Sequence, residues 1–186
     1  SPLSISIKMR LGLESPQESL AVLRVLDDYP LVEITIHARL GVQMYEGVVD
    51  LEAFEACLEV THHRVVYNGD IDCVAQLESL AQRFPTITGW MIGRGALGDP
   101  TLPSRINGVT LDDVHQRHLR FHGELYRDAC ERLQGPGHIL GRMKGLWAYH
   151  AEAFDVHKRY LKKLRKAATL EQYEAAVEKI FEVSRL

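Results

Sequence analysis

Residues 65–95 read VVYNGDIDCVAQLESLAQRFPTITGWMIGRG, and this stretch decides the fold. It opens with Val65–Asn68, a short run of β-branched and aromatic side chains, and the Asn68-Gly69-Asp70 turn ends that run. From Asp72 to Gln82 the apolar residues return at helical spacing, and Ile87–Ile92 is a second strand-like run that exits through Gly93-Arg94-Gly95. Strand, helix and strand in this order form a βαβ unit, in which the crossover helix lets the two strands lie parallel.

The same unit recurs toward the N-terminus. Ile5–Lys8 and Val32–His37 are further strand-like runs, each followed by a helical pattern. Ser15-Pro16-Gln17-Glu18 opens the first of these helices: Ser15 caps it, Pro16 fits its first turn, and Glu18 closes a capping box. Leu20, Leu23 and Leu26 then give it an apolar face, and the next helix spans roughly Asp50–Glu59. Beyond Pro100 and Pro103 strand signals stop. Three or four helices punctuated by Gly and Pro follow: one opened by Thr110 and Asp113 and ending near Gln134, one over His138–Ala153, one over Asp155–Lys166, and a last capped by Thr169 with Gln172. The expected fold class is α/β, four βα units of a parallel barrel over residues 1–103, with an all-α bundle over residues 104–186.

Parallel βα units place ligands at the carboxyl ends of their strands. Here those ends are Lys8-Met9-Arg10, His37-Ala38-Arg39, Asn68-Gly69-Asp70 and Gly93-Arg94-Gly95. Each has a plain structural explanation: a rim lysine or histidine in an ion pair, an Asn-Gly turn, glycines that permit close packing. Together on one rim they make a cationic, donor-rich surface suited to a phosphate-bearing cofactor, with the last two strand ends in the position where barrels commonly bind phosphate.

Composition supports a globular protein rather than a membrane-embedded or disordered one, with 46% hydrophobic and 25% charged residues and no apolar run of membrane-spanning length. No charged, apolar, small-residue leader opens the sequence, so the expected location is cytoplasmic. Cys57, Cys73 and Cys130 are odd in number and widely spaced, which argues for reduced thiols over disulfides or a zinc site. His115, His118 and His122 have helical spacing, but no cysteine or carboxylate pattern completes a metal site around them. Charge divides unevenly: residues 1–103 hold 7 Lys and Arg against 14 Asp and Glu, residues 104–186 hold 15 against 11. The basic excess includes Lys158, Arg159, Lys162, Lys163, Arg165 and Lys166, and with Arg142 and Lys144 it suggests an anionic partner for the second half.

The stretches Ser6–Gly12, Ile36–Arg39, Tyr45–Gly47, Tyr67–Ile71 and Met91–Pro100, in that order, resemble the signatures of the dihydrouridine synthases, and Gly141–Tyr149 is similar to the tail-domain helix of the family's C-type bacterial members. The resemblance implies an enzyme that reduces a tRNA uridine with FMN as cofactor and NADPH as reductant. It implies that Lys8 and His37 hydrogen-bond FMN, that Asn68, Gly69 and Asp70 contact it, and that Gly93 and Arg94 hold its phosphate. Arg10 and Arg39 would lie near the cofactor or the RNA backbone. Arg142, Lys144, Lys158, Arg159, Lys162, Lys163 and Lys166 would meet tRNA. The family's general-acid cysteine belongs to the barrel's first half, so none of Cys57, Cys73 and Cys130 is expected to be catalytic. Ser1 in place of Met, with a strand almost at once, suggests a segment of a longer protein that lacks activity alone and pairs with a copy of itself through open sheet edges. Two other readings compete: a different FMN-binding barrel oxidoreductase, and a non-catalytic RNA-binding module.

Overall fold

A computed structural model describes residues 3–184; Ser1, Pro2, Arg185 and Leu186 lie outside it. The chain divides into two compact units, Ser1–Ile71 with Ala75–Gly93, and Asp72–Val74 with Arg94–Leu186. The change in sequence pattern after Pro103 thus falls within the second unit, because the chain turns helical at Arg94.

The first unit carries four parallel strands in sequence order, β1 (Ser6–Arg10), β2 (Glu33–His37), β3 (Val65–Asn68) and β4 (Gly89–Met91). Helices α1 (Pro16–Leu26), α2 (Leu51–Val60) and α3 (Val74–Arg83) connect them. This arrangement is consistent with a partial (β/α)8 barrel. The capping box at α1 forms as expected, and the Glu18 carboxylate accepts from the backbone N–H groups of Leu13, Glu14 and Ser15 at 2.8, 3.0 and 2.9 Å. Those bonds hold Glu18 below the usual carboxylate range. Gly12 makes the tight entry to this helix feasible: its φ is +134°, and a Cβ there would lie 2.1 Å from the Ser15 carbonyl oxygen. Asp50 caps α2 by accepting from Ala53 N at 2.8 Å.

Register sorts the strand residues onto two faces. Ile34, Ile36, Val65 and Tyr67 form the apolar row, where Phe54 of α2 meets Tyr67 edge to face at 4.9 Å and Phe84 at 5.1 Å. The opposite face carries Lys8 beside Thr35, and Arg10 beside His37 beside Asn68. β4 is shorter than the Ile87–Ile92 expectation: as an edge strand it pairs only where Val66–Asn68 lie opposite, and Ile87 is already in a turn closed by its N–H to Phe84 O.

The second unit is helical: α4 (Arg94–Gly98), α5 (Leu102–Ile106), α6 (Val114–Arg132), α7 (Pro136–His150), a 3₁₀ turn (Ala151–Ala153), α8 (Lys158–Lys166) and α9 (Leu170–Val183). Its core gathers Met143, Trp147, Leu164, Tyr173, Ile180 and Phe181. Trp147 Nε1 donates to Tyr173 Oη at 2.9 Å, and that hydroxyl pairs with His122 Nε2 at 2.7 Å, so both polar aromatics are satisfied inside the core. α8 starts three residues later than the sequence pattern suggests. Phe154, extended and buried, leaves the helical path to pack on His150 and Trp147 at 5.1 and 5.6 Å, and His157 caps the helix instead. Thr169 caps α9 through Gln172 N, as expected. None of Cys57, Cys73 and Cys130 is in a disulfide. Among the described residues no helix is long and apolar enough to cross a membrane, and no group of three or more His, Cys, Asp and Glu could hold a metal.

Candidate cofactor and RNA-contact residues

The carboxyl ends of β1, β2 and β3 bring a set of polar side chains together. His37 is 5% exposed, and its imidazole is held down to about 4 by burial first and then by the positive charges of Arg10, Lys8 and Arg39. It is neutral at physiological pH. A guanidinium only donates, so the 3.4 Å approach of Arg39 Nη1 to His37 Nε2 makes Nε2 the acceptor and leaves the proton on Nδ1.

Arg39, at 2% exposure, is locked in place. Its guanidinium donates to both oxygens of Asp70, to Oδ1 at 2.9 Å, and to the Gly47 carbonyl at 2.8 Å. Those bonds make it a clamp between the loop after β2 and the turn after β3. Asp70 sits in the left-handed region at φ 40°, a strained place for a non-glycine residue that the ion pair helps to hold. Gly69 beside it has φ +143°, and a Cβ there would meet Val49 Cγ1 at 2.8 Å and His37 Cδ2 at 3.5 Å. The positive φ and the Val49 contact are what call for glycine here; the distance to His37 is an ordinary van der Waals contact.

Lys8 is exposed on the polar face. Arg10 donates to the Leu40 carbonyl at 2.7 Å and lies 5.3 Å from the Tyr45 ring centroid, which holds its guanidinium near the loop after β2. Asn68 Nδ2 donates to the Met91 carbonyl at 2.8 Å, tying the end of β3 to that of β4. At Gly93 an added Cβ would meet nothing within 4 Å, so close packing does not require glycine at this position. Thr35, 4% exposed in the same polar row, escaped sequence reasoning although its place two residues before His37 assigns it that face.

In the helical unit Arg94 opens α4 and lines a cavity of about 590 Å³ with Asp99, Arg105 and His118. Lys144 Nζ donates to the Ala167 carbonyl at 2.5 Å, so this lysine caps the end of α8. Arg142 is exposed. Arg159 stacks on Tyr160 at 4.8 Å and donates to its hydroxyl at 2.8 Å. Arg159, Lys162, Lys163 and Lys166 line a groove of about 950 Å³ between α8 and α9, joined by Lys179 and Gln172. Nothing in the local sequence of α9 marks Lys179, because glutamates surround it; only the packing of α8 on α9 adds it to the cationic set. His115, His118 and His122 sit in or beside the aromatic core and form no metal cluster among the described residues.

A family model for dihydrouridine synthases matches residues 1–184. The chain belongs to this family. It is 30% identical over 104 residues to a probable tRNA-dihydrouridine synthase of Rickettsia bellii, covering 55% of this chain and 32% of that protein. The probable tRNA-dihydrouridine synthase of Rickettsia conorii is 31% identical over 106 residues, 56% of this chain and 32% of its own. That of Rhizobium leguminosarum is 28% identical over 142 residues, 73% and 44% respectively. The matches therefore cover only 32% to 44% of the length of these family members.

Proposed function

We propose that this chain is part of a cytoplasmic, C-type tRNA-dihydrouridine synthase, in which residues 1–103 form the second half of the barrel and residues 104–186 bind tRNA. The observation that carries this is the family match along nearly the whole chain, joined to a polar sheet face ending in Lys8, Arg10, His37 and Asn68. A preceding half-barrel would complete the cavity and bring the general-acid cysteine. Without it, the edges β1 and β4 favour pairing between copies.

FMN fits these residues. Gly93 opens onto space that a side chain would narrow, which suits a phosphate, and Arg94 follows it in the chain. Lys8 supplies positive charge, and neutral His37 a hydrogen bond, toward an electron-rich ring. The close turn at Gly69 and Asp70, fixed by Arg39, shapes the floor. The chemistry FMN supplies when bound is hydride transfer from NADPH to the uridine. The work of this chain is to bind, orient and exclude water. The cationic groove of Arg159, Lys162, Lys163, Lys166 and Lys179 supports contact with the tRNA backbone, with Lys158 adjoining it in sequence and Arg142 exposed on α7.

The test is NADPH-dependent dihydrouridine formation on unmodified tRNA, by the chain alone and by the longer protein that contains it. The longer protein is expected to turn over, and the chain alone to fall at least about 10²–10⁴-fold below it for want of a general acid. In the longer protein Arg94→Ala is expected to weaken FMN retention about ten- to a hundredfold, the loss of a charge-assisted hydrogen bond. Equal turnover by the chain alone, or full flavin content in the Arg94→Ala protein, would overturn the reading.

A further inference from the structure

Asp99, His118 and His150 are buried or half-buried around one short element, α4, and the fold gives them no other evident task. Asp99 follows α4 directly. One of its oxygens accepts from Thr101 N at 2.8 Å and Thr101 Oγ1 at 2.5 Å, the other from Arg105 Nη1 at 2.9 Å. His118 of α6, 1% exposed, brings Nε2 to 3.3 Å from the first of those oxygens. His150, fully buried at the end of α7, places Nδ1 3.2 Å from the Leu97 carbonyl. Beside it, a Cβ on Gly98 would lie 3.4 Å from the Tyr149 carbonyl oxygen, so α4 and α7 nearly touch backbone to backbone.

These partners fix which nitrogen of each ring donates. A carboxylate and a carbonyl only accept, so His118 carries its proton on Nε2 and His150 on Nδ1. The remaining nitrogens, His118 Nδ1 and His150 Nε2, are buried without a hydrogen-bond partner, and the two rings lie 5.0 Å apart. Leaving two buried ring nitrogens unsatisfied is costly, and a protein core tolerates it where the other end of each ring does something needed. Here each other end grips the last turn of α4. The first residue of α4 is Arg94, and Arg94 and His118 line the same cavity of about 590 Å³.

We infer that His118 and His150, with Asp99, are positioning residues that hold α4 in register so that Arg94 meets the cofactor phosphate. This rests on the assignment of Arg94 to that phosphate.

The donating nitrogens supply a signature that ordinary core packing lacks. Glutamine presents a donor where Nε2–H stands and asparagine where Nδ1–H stands, so His118→Gln and His150→Asn keep the grip while His118→Asn and His150→Gln lose it. Amide hydrogen exchange on the 186-residue chain reads the grip without any ligand, with the α9 amides as internal reference for the folding of the unit. The Asp99 amide, bonded to the Gly95 carbonyl at 2.8 Å, is expected to exchange about tenfold faster in the losing pair, the equivalent of one net hydrogen bond, and at the native rate in the keeping pair. Binding of FMN compared with riboflavin, measured in the longer protein whose preceding half-barrel completes the cavity, then isolates the phosphate. The unsubstituted longer protein and the keeping pair should prefer FMN, while the losing pair and Arg94→Ala should lose that preference. Native exchange in all four histidine variants overturns the inference, as does loss of the FMN preference in Arg94→Ala alone. Retention of the preference in Arg94→Ala, or no binding of either flavin, overturns the phosphate assignment itself.

Discussion

In the four-stranded unit the buried polar side chains Thr35, His37 and Arg39 lie along the polar face of the sheet and just past its end, whereas the helical unit sinks His118, His122 and His150 into an aromatic core. His37, His122 and His150 are all held neutral, but by different means. His37 is held down by burial and then by three neighbouring cations; for His122 burial is the one cause, and for His150 burial leads. The three cations make the surroundings of His37 electropositive, whereas aromatic rings surround His122 and His150.

The largest expected effect that probes this contrast is acid sensitivity. His122 and His150 titrate near 4 in the folded chain and near 6.5 unfolded, so between those values the unfolded chain binds more protons. The stability they contribute is complete above about pH 6.5 and is lost as pH falls toward 4, at a slope approaching about 1.4 kcal/mol per pH unit for each histidine. His37 contributes in the same direction to the first unit, but alone. Trp90 reports on the first unit and Trp147 on the second, so denaturant titrations followed in single-tryptophan variants separate the two. The Trp147 transition is expected to weaken more steeply with acid; parallel losses in both would erase the distinction.

A smaller effect is expected from Arg39→Ala. It leaves Asp70 without its partner at a left-handed residue, and removing one member of a buried ion pair costs about 3 kcal/mol. The Trp90 transition should shift by that amount while the Trp147 transition stays put. A shift below about 0.5 kcal/mol would place Arg39 among ordinary surface cations.

The smallest effect on stability, and the sharpest on binding, is expected for Lys162, Lys163 and Lys166 replaced together by Gln. All three are exposed, so neither transition should move. If the groove tracks phosphates, affinity for every tRNA falls alike, and the slope of log K against log salt flattens by about two units. An unchanged slope would reduce the groove to a solvated helix face. Adding Lys179→Gln should then flatten it further only if the α8–α9 groove, rather than α8 alone, makes the contact.

The sequence by itself determined the order of the parallel strands and the polar exits after them, because period-2 patterning, capping residues and turn glycines act over a few neighbouring residues. The capping box at Ser15, the cap at Asp50 and the Thr169 cap were all legible for that reason. Tertiary structure decided what those polar residues do. Arg39 and Lys144 read as basic residues open to a partner, yet one is closed on Asp70 and Gly47 and the other on Ala167, contacts made with residues 8 to 31 positions away. The short helices α4 and α5 carry too few residues to show a period, and their place depends on Asp99, His118 and His150 meeting from distant parts of the chain. A side chain's type is fixed locally, but its charge state and its partner depend on burial and on which other segments the fold brings within hydrogen-bonding distance.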